Sequence, residues 1–196
     1  MAVSNNSCLA VQKSLGWCQG TPEYAGVRRR IFYISKGAIV SFPELPTDEL
    51  GRATSAVLKG DFVLAADQKW KYIDILPDKS QLTSEPQGEM PSQTQLNKLV
   101  AVHPGVGAEA TALSLYVNNS DCVYVVEDMA GKYRVLGNDR WSTVSTVNQD
   151  NGQGSTGTTS TTLNVEVPDV APAPFYVGTL DTEEGEIDCS GSPKGE

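Results

Sequence analysis

A chain of 196 residues with 39% hydrophobic content is long enough for one sizeable core and has the composition of a protein that folds in water. Fifteen Lys and Arg stand against 24 Asp and Glu, a formal charge of −9, which argues against a nucleic-acid reader built on cations clustered over phosphates. One histidine and four scattered cysteines give no ligand set for a metal and leave free thiols as the expectation.

Residues 1–26, punctuated by Gly16, Gly20, Pro22 and Gly26, read as an N-terminal arm. Met1 to Cys8 shows no basic segment leading into an apolar run, so neither an export signal nor a lipid anchor is expected. No stretch approaches membrane-spanning length. Arg30–Ser35 and Ala38–Phe42 are strand candidates around Lys36-Gly37, a plausible tight turn, and Pro43 and Pro46 end the pair. Residues 47–60 read as a loop or short helix. Phe62–Ala65 and Trp70–Ile75 resume the strand pattern; Trp70 and Tyr72 share one face, Ile73 and Ile75 the other, and neither face is cleanly polar.

Two further strand candidates, 80–85 and 93–102, flank a turn from Pro86 to Pro91. In the second, Gln93, Gln95 and Asn97 fall on one face at period two, a weakly charged polar stripe suited to water or a hydrated pore. A helix is predicted near 107–119, with Ala112, Leu115 and Tyr116 as its packing side and Asn118-Asn119 as its stop. Val123–Glu127 and Tyr133–Gly137, joined by Met129-Ala130-Gly131-Lys132, form the clearest hairpin. Trp141–Val147 and Thr158–Val167 are strands separated by a Gly- and Ser-rich loop, and Phe175–Val177 is a last short one. Residues 181–196 read as an acidic, mobile tail, leaving 27–180 as the folded domain.

No reacting constellation is legible. His103 precedes Pro104, away from any Gly-x-Ser-x-Gly elbow, and reads as a strand-end histidine. No glycine cluster forms a phosphate-binding turn. Trp17, Trp70 and Trp141 read as core or interface anchors more readily than as a sugar platform. Arg28, Arg29 and Arg30 sit near one end of the chain and Glu183, Glu184 and Glu186 near the other, so pairing of these opposite charges across subunits is expected.

The order of parts resembles that of the tail tube proteins of long-tailed bacteriophages, in particular tail-type proteins of Bacteroidetes phages and prophages. The residues that carry this are Tyr24–Arg30, Gln87-Gly88-Glu89, Val123–Val126 with Gly131–Gly137, and Thr161–Val165 ahead of Pro172-Ala173-Pro174. The resemblance implies a mainly β fold, a β-sandwich or barrel with one flanking α-helix and extended N- and C-terminal arms. It also implies a non-enzymatic virion protein without cofactor or metal, assembled in the bacterial cytoplasm into stacked homohexameric rings. Its partners would be itself and other tail proteins, with no membrane, and DNA would pass through without specific binding. On that reading Gln93, Gln95 and Asn97 are lumen candidates, while Arg28, Arg29, Arg30, Glu183, Glu184 and Glu186 are inter-subunit candidates. The alternatives are another phage part, a head decoration or tail terminator protein, and a carbohydrate-binding surface β-sandwich.

Overall fold

The computed structural model describes residues 14–49 and 51–191. Cys8, the first half of the expected arm and the last five residues of the expected tail lie outside the described residues.

The apolar strands of the middle of the chain assemble one central sheet, in the order β11 (Phe175–Tyr176), β8 (Tyr133–Leu136), β7 (Cys122–Asp128), β1 (Val27–Ser35), β4 (Lys71–Asp74). All its neighbouring strands run antiparallel. The sequence of β7 explains its central place. Cys122, Tyr124 and Val126 enter one core cluster, Val123 and Val125 enter another, and all five are fully buried. β1 divides in the same way, Ile31 and Tyr33 to one side, Phe32 and Ile34 to the other. A sheet covered on both faces needs apolar residues at consecutive positions, which is why neither strand alternates.

A second sheet, β5 (Gln81–Gln87), β6 (Thr94–Pro104), β10 (Ser160–Asp169), β9 (Val144–Asp150), packs on the first face. Its strands alternate because only one side is covered. Leu99, Ala101, Leu163, Val165 and Val167 point inward, while Thr162, Asn164 and Glu166 face out. The Tyr124 hydroxyl lies 2.9 Å from Ser145 Oγ, a buried hydrogen bond between the two sheets. The other face of the central sheet is covered by residues 38–64, which carry β2 (Ile39–Ser41) and β3 (Val63–Leu64), and by the hairpin β12 (Thr179–Thr182) and β13 (Gly185–Asp188). Here Phe62 is the hub, with ring centroids 5.1 Å from Trp70, 5.1 Å from Tyr176 and 5.8 Å from Phe42. The architecture is a β-sandwich with a covering layer and one α-helix, and the sheets do not close into a barrel.

At Gly137 the chain leaving β8 comes against β7 so closely that a Cβ would stand 2.9 Å from Val123 Cγ2. With φ at +125°, only glycine fits there without strain.

The structure corrects the reading in three places. β2 pairs with β3 rather than with β1, because β1 is held on both edges by β4 and β7. A 3-10 turn at Lys36–Ala38, tied by Lys36 N to Asp121 O at 2.8 Å, swings the chain into the covering layer. The helix, α1 (Ala108–Val117), turns its other side inward. Ala110, Leu113, Ser114 and Val117 form the packed stripe, whereas Leu115 is 71% and Tyr116 48% exposed. Small Ala110 and Ser114 allow close approach, and Ser114 Oγ is satisfied by Ala110 O at 2.7 Å. Third, the supposed tail is folded through Cys189. Leu180 and Cys189 are buried against Trp70 and Tyr176, and charges on the outer side of this hairpin disguised it as a solvated segment.

Candidate functional site

Arg28 and Arg30 project from the start of β1, where the pairing with β7 is irregular between Val27 and Ile31. Arg28 Nη1 pairs with Glu127 at 3.0 Å on the neighbouring strand β7. Arg30 is the centre of a larger group. Its Nε donates to Asp74 of β4 at 2.8 Å, its Nη1 donates to Glu184 of the β12–β13 turn at 2.6 Å, and its guanidinium carbon lies 3.7 Å from the Tyr72 ring centroid. The bonds to Asp74 and, less strongly, to Glu184 raise the Arg30 pKa, and a hydrogen bond between the Tyr72 hydroxyl and Glu184 leads the causes that raise the pKa of Tyr72. The opposite charges expected to meet across subunits therefore meet within one chain at Arg30 and Glu184. The hairpin fold is the reason, since it returns Glu184 to the edge of the central sheet. Arg29, Glu183 and Glu186 are exposed, and none of them forms a salt bridge among the described residues. These half-exposed pairs orient the hairpin more than they stabilise it.

The lumen stripe is also redirected. Asn97 is fully buried. Its Oδ1 accepts from Ser84 Oγ at 2.6 Å and from Ala173 N at 2.9 Å, and its Nδ2 donates to Ala171 O at 3.2 Å. The connection from β10 to β11 crosses beneath the sheet here and presents a backbone carbonyl and an amide that need partners. Gln95 is half-buried on the same inward side of β6, and Gln93 is exposed in the turn before the strand. The water-facing stripe of this sheet has the opposite parity. It comprises Gln81, Thr83 and Glu85 on β5, Thr162, Asn164 and Glu166 on β10, and Val144, Thr146 and Asn148 on β9, while β6 contributes Thr94 and Lys98 together with apolar Leu96, Val100 and Val102, all aligned in rows by the cross-strand register. Lys98 bonds Glu85 at 2.8 Å and stands directly opposite Glu166 on β10, so these three side chains leave one net negative charge in the central rows. The alternation of Leu163, Val165 and Val167 with Asn164 and Glu166 was the sequence signal for this face.

A cleft of about 570 Å³ lies between residues 40–53 and the 137–141 segment, lined among others by Phe42, Leu45, Phe62, Arg140 and Trp141. At its edge burial raises the pKa of Asp169, but the carboxylate is engaged: Oδ1 accepts from Val170 N at 2.6 Å and Oδ2 from Asn138 Nδ2 at 3.3 Å. Asn138 Oδ1 in turn accepts from the amides of Arg140 and Trp141. These groups hold loops, while Glu44 and Asp139, which also line the cleft, are exposed to solvent. His103, near the end of β6, places Nδ1 2.7 Å from Asp74 O, which fixes that nitrogen as the donor. Among the described residues no group of three or more His, Cys, Asp or Glu could hold a metal ion, and no helix is long and apolar enough to cross a membrane.

Cys18 is exposed in the arm, whereas Cys122 and Cys189 are buried, and none of the three is in a disulfide. Burial pushes the Cys122 thiol up to about 11 and that of Cys189 up to about 12. Of these three thiols, Cys18 alone is expected to take iodoacetamide in the native protein at neutral pH, the others reacting only in denaturant. Peptide mass mapping checks this, and native labelling of Cys122 at the Cys18 rate would contradict the packing.

No known protein family, no curated protein and no solved structure matches this chain.

Proposed function

We infer that the chain is a self-assembling structural protein of a virion tail, stacking as rings into the tube through which DNA passes. The observation that carries this reading is the outer face of the four-stranded sheet. It is broad, sets Thr, Asn and Gln side chains among Leu96, Val100 and Val144, and carries one net negative charge at its centre from Glu85, Lys98 and Glu166. A wall of that kind holds water and offers the phosphate backbone no cationic trap, as a conduit requires. The exposed arm ahead of β1 supplies the reach for contacts between copies. On this reading the lumen positions are Thr83, Lys98, Asn164, Glu166 and Thr146 in place of the inward stripe through Asn97.

Negative-stain electron microscopy of the purified chain, with light scattering across a concentration series, tests the proposal. Stacked rings or tubes are expected. Isolated closed rings would favour the decoration or terminator reading, and a monomer at all concentrations would overturn self-assembly.

A further inference from the structure

Three of the four edges of the two main sheets make at least one bond to another part of the chain. β4 is extended by Trp70 N bonding Asp181 O at 2.9 Å. β11 exchanges Phe175 N to Ala56 O and Leu58 N to Phe175 O, both at 2.8 Å. β9 is met by Asn118 Oδ1, which accepts from Val147 N at 2.8 Å. Among the described residues nothing bonds the outer edge of β5.

The register shows what that edge offers. Val102 N donates to Ser80 Oγ and Val102 O accepts from Leu76 N, so even-numbered residues of β6 turn their backbone groups toward β5. In antiparallel register those residues face Gln81, Thr83, Glu85 and Gln87, which leaves Leu82, Ser84 and Pro86 turned outward. Leu82 and Ser84 therefore present free amides and carbonyls. Pro86 has no amide at an outward position, so it costs no bond to β6 and limits addition to the Leu82–Ser84 end.

The same molecule carries a segment suited to that edge. Residues 14–26 are exposed throughout, with Leu15 at 101% and Trp17 at 66% of full exposure, and before Gly26 the described arm's backbone bond is a local one, Thr21 N to Cys18 O. In sequence, Leu15 and Trp17 share one parity, while Ser14, Gly16 and Cys18 share the other. That is the pattern of a strand with one apolar side.

We propose that the arm segment 14–17 of one copy adds as a strand to the β5 edge of a second copy, with Leu15 and Trp17 beside half-buried Leu82 on the core side. The inference rests on the self-assembly reading and names the contact that drives it. Main-chain bonds to Leu82 and Ser84 supply the pairing, and the two large side chains extend the core past its open edge. Because the donated arm and the accepting edge are different surfaces, the contact is head-to-tail, and repetition generates a ring or a filament.

Cys18 provides the probe, since its parity places it on the polar side with Gln81 and Thr83. In full-length Thr83→Cys, and independently in Gln81→Cys, mild oxidation should give a ladder of disulfide-linked multimers on non-reducing gels. Cys18→Ser should abolish the ladder, and Leu15→Asp with Trp17→Asp should reduce it by about tenfold or more. A Cys18 link confined to the monomer shows the arm closing on its own chain and overturns the proposal. Rings in the microscope without a Cys18-dependent ladder overturn it while leaving the tail reading intact. A chain that is monomeric and ladder-free overturns both.

Discussion

Replacement of Asn97 by alanine is expected to lower the folding free energy by about 3–5 kcal/mol, because each buried polar group left without a partner costs roughly 1–3 kcal/mol. The substitution strands the Ser84 hydroxyl, the Ala173 amide and the Ala171 carbonyl together, all of which Asn97 satisfies at 2.6–3.2 Å. Equilibrium denaturation with urea measures the loss, and a change below about 1 kcal/mol would show that these groups find other partners or water. Asn97→Asp adds a pH signature with a definite sign. A buried carboxylate facing the Ala171 carbonyl has its folded pKa raised, so the variant retains most stability below the unfolded aspartate pKa of about 3.9 and loses it as pH rises through the folded value. Wild-type protein at the same position has nothing to titrate. A flat difference between variant and wild type across acidic to neutral pH would contradict the burial of this site.

Trp70→Ala is the second large effect, at about 3–5 kcal/mol, the usual range for removing a large aromatic from a packed core. Trp70 is 1% exposed and meets Phe62 edge-on at 5.1 Å, where the covering layer joins the central sheet. Its backbone continues to hold β12, so the loss reports packing and leaves the strand connection in place. For a chain of this size the melting temperature should fall by about 6–20 °C, with Trp70→Phe losing clearly less. Calorimetry decides it, and equal losses for Ala and Phe would mean that ring volume is not what matters at this position.

Much of the fold is legible in the sequence because particular segments state their surroundings twice, by residue type and by order. Val123–Val126 followed by Gly131 and Tyr133–Leu136 specifies a hairpin, and its unbroken apolar run specifies burial on both faces. The helix is legible in extent but not in orientation. Large Leu115 and Tyr116 advertise an apolar side, yet the side that packs carries the smaller Ala110 and Ser114 together with Val117. The hairpin at 179–188 was hidden for the converse reason. Its sequence is dominated by the acidic residues of its exposed side, and its inward residues, Leu180, Thr182, Ile187 and Cys189, are too few to raise the average.

By itself, the sequence determined the mainly β character, the central hairpin, the one helix and the acidic balance, since each depends on neighbours along the chain or on composition alone. The tertiary structure alone decided that Asn97 is an internal clamp, that Arg30 meets Glu184 across 154 positions of its own chain, and that the outer edge of β5 is left unbonded among the described residues. A period of two separates the faces of a strand without saying which is covered. Charge along a chain is likewise silent about which charges the fold brings into contact.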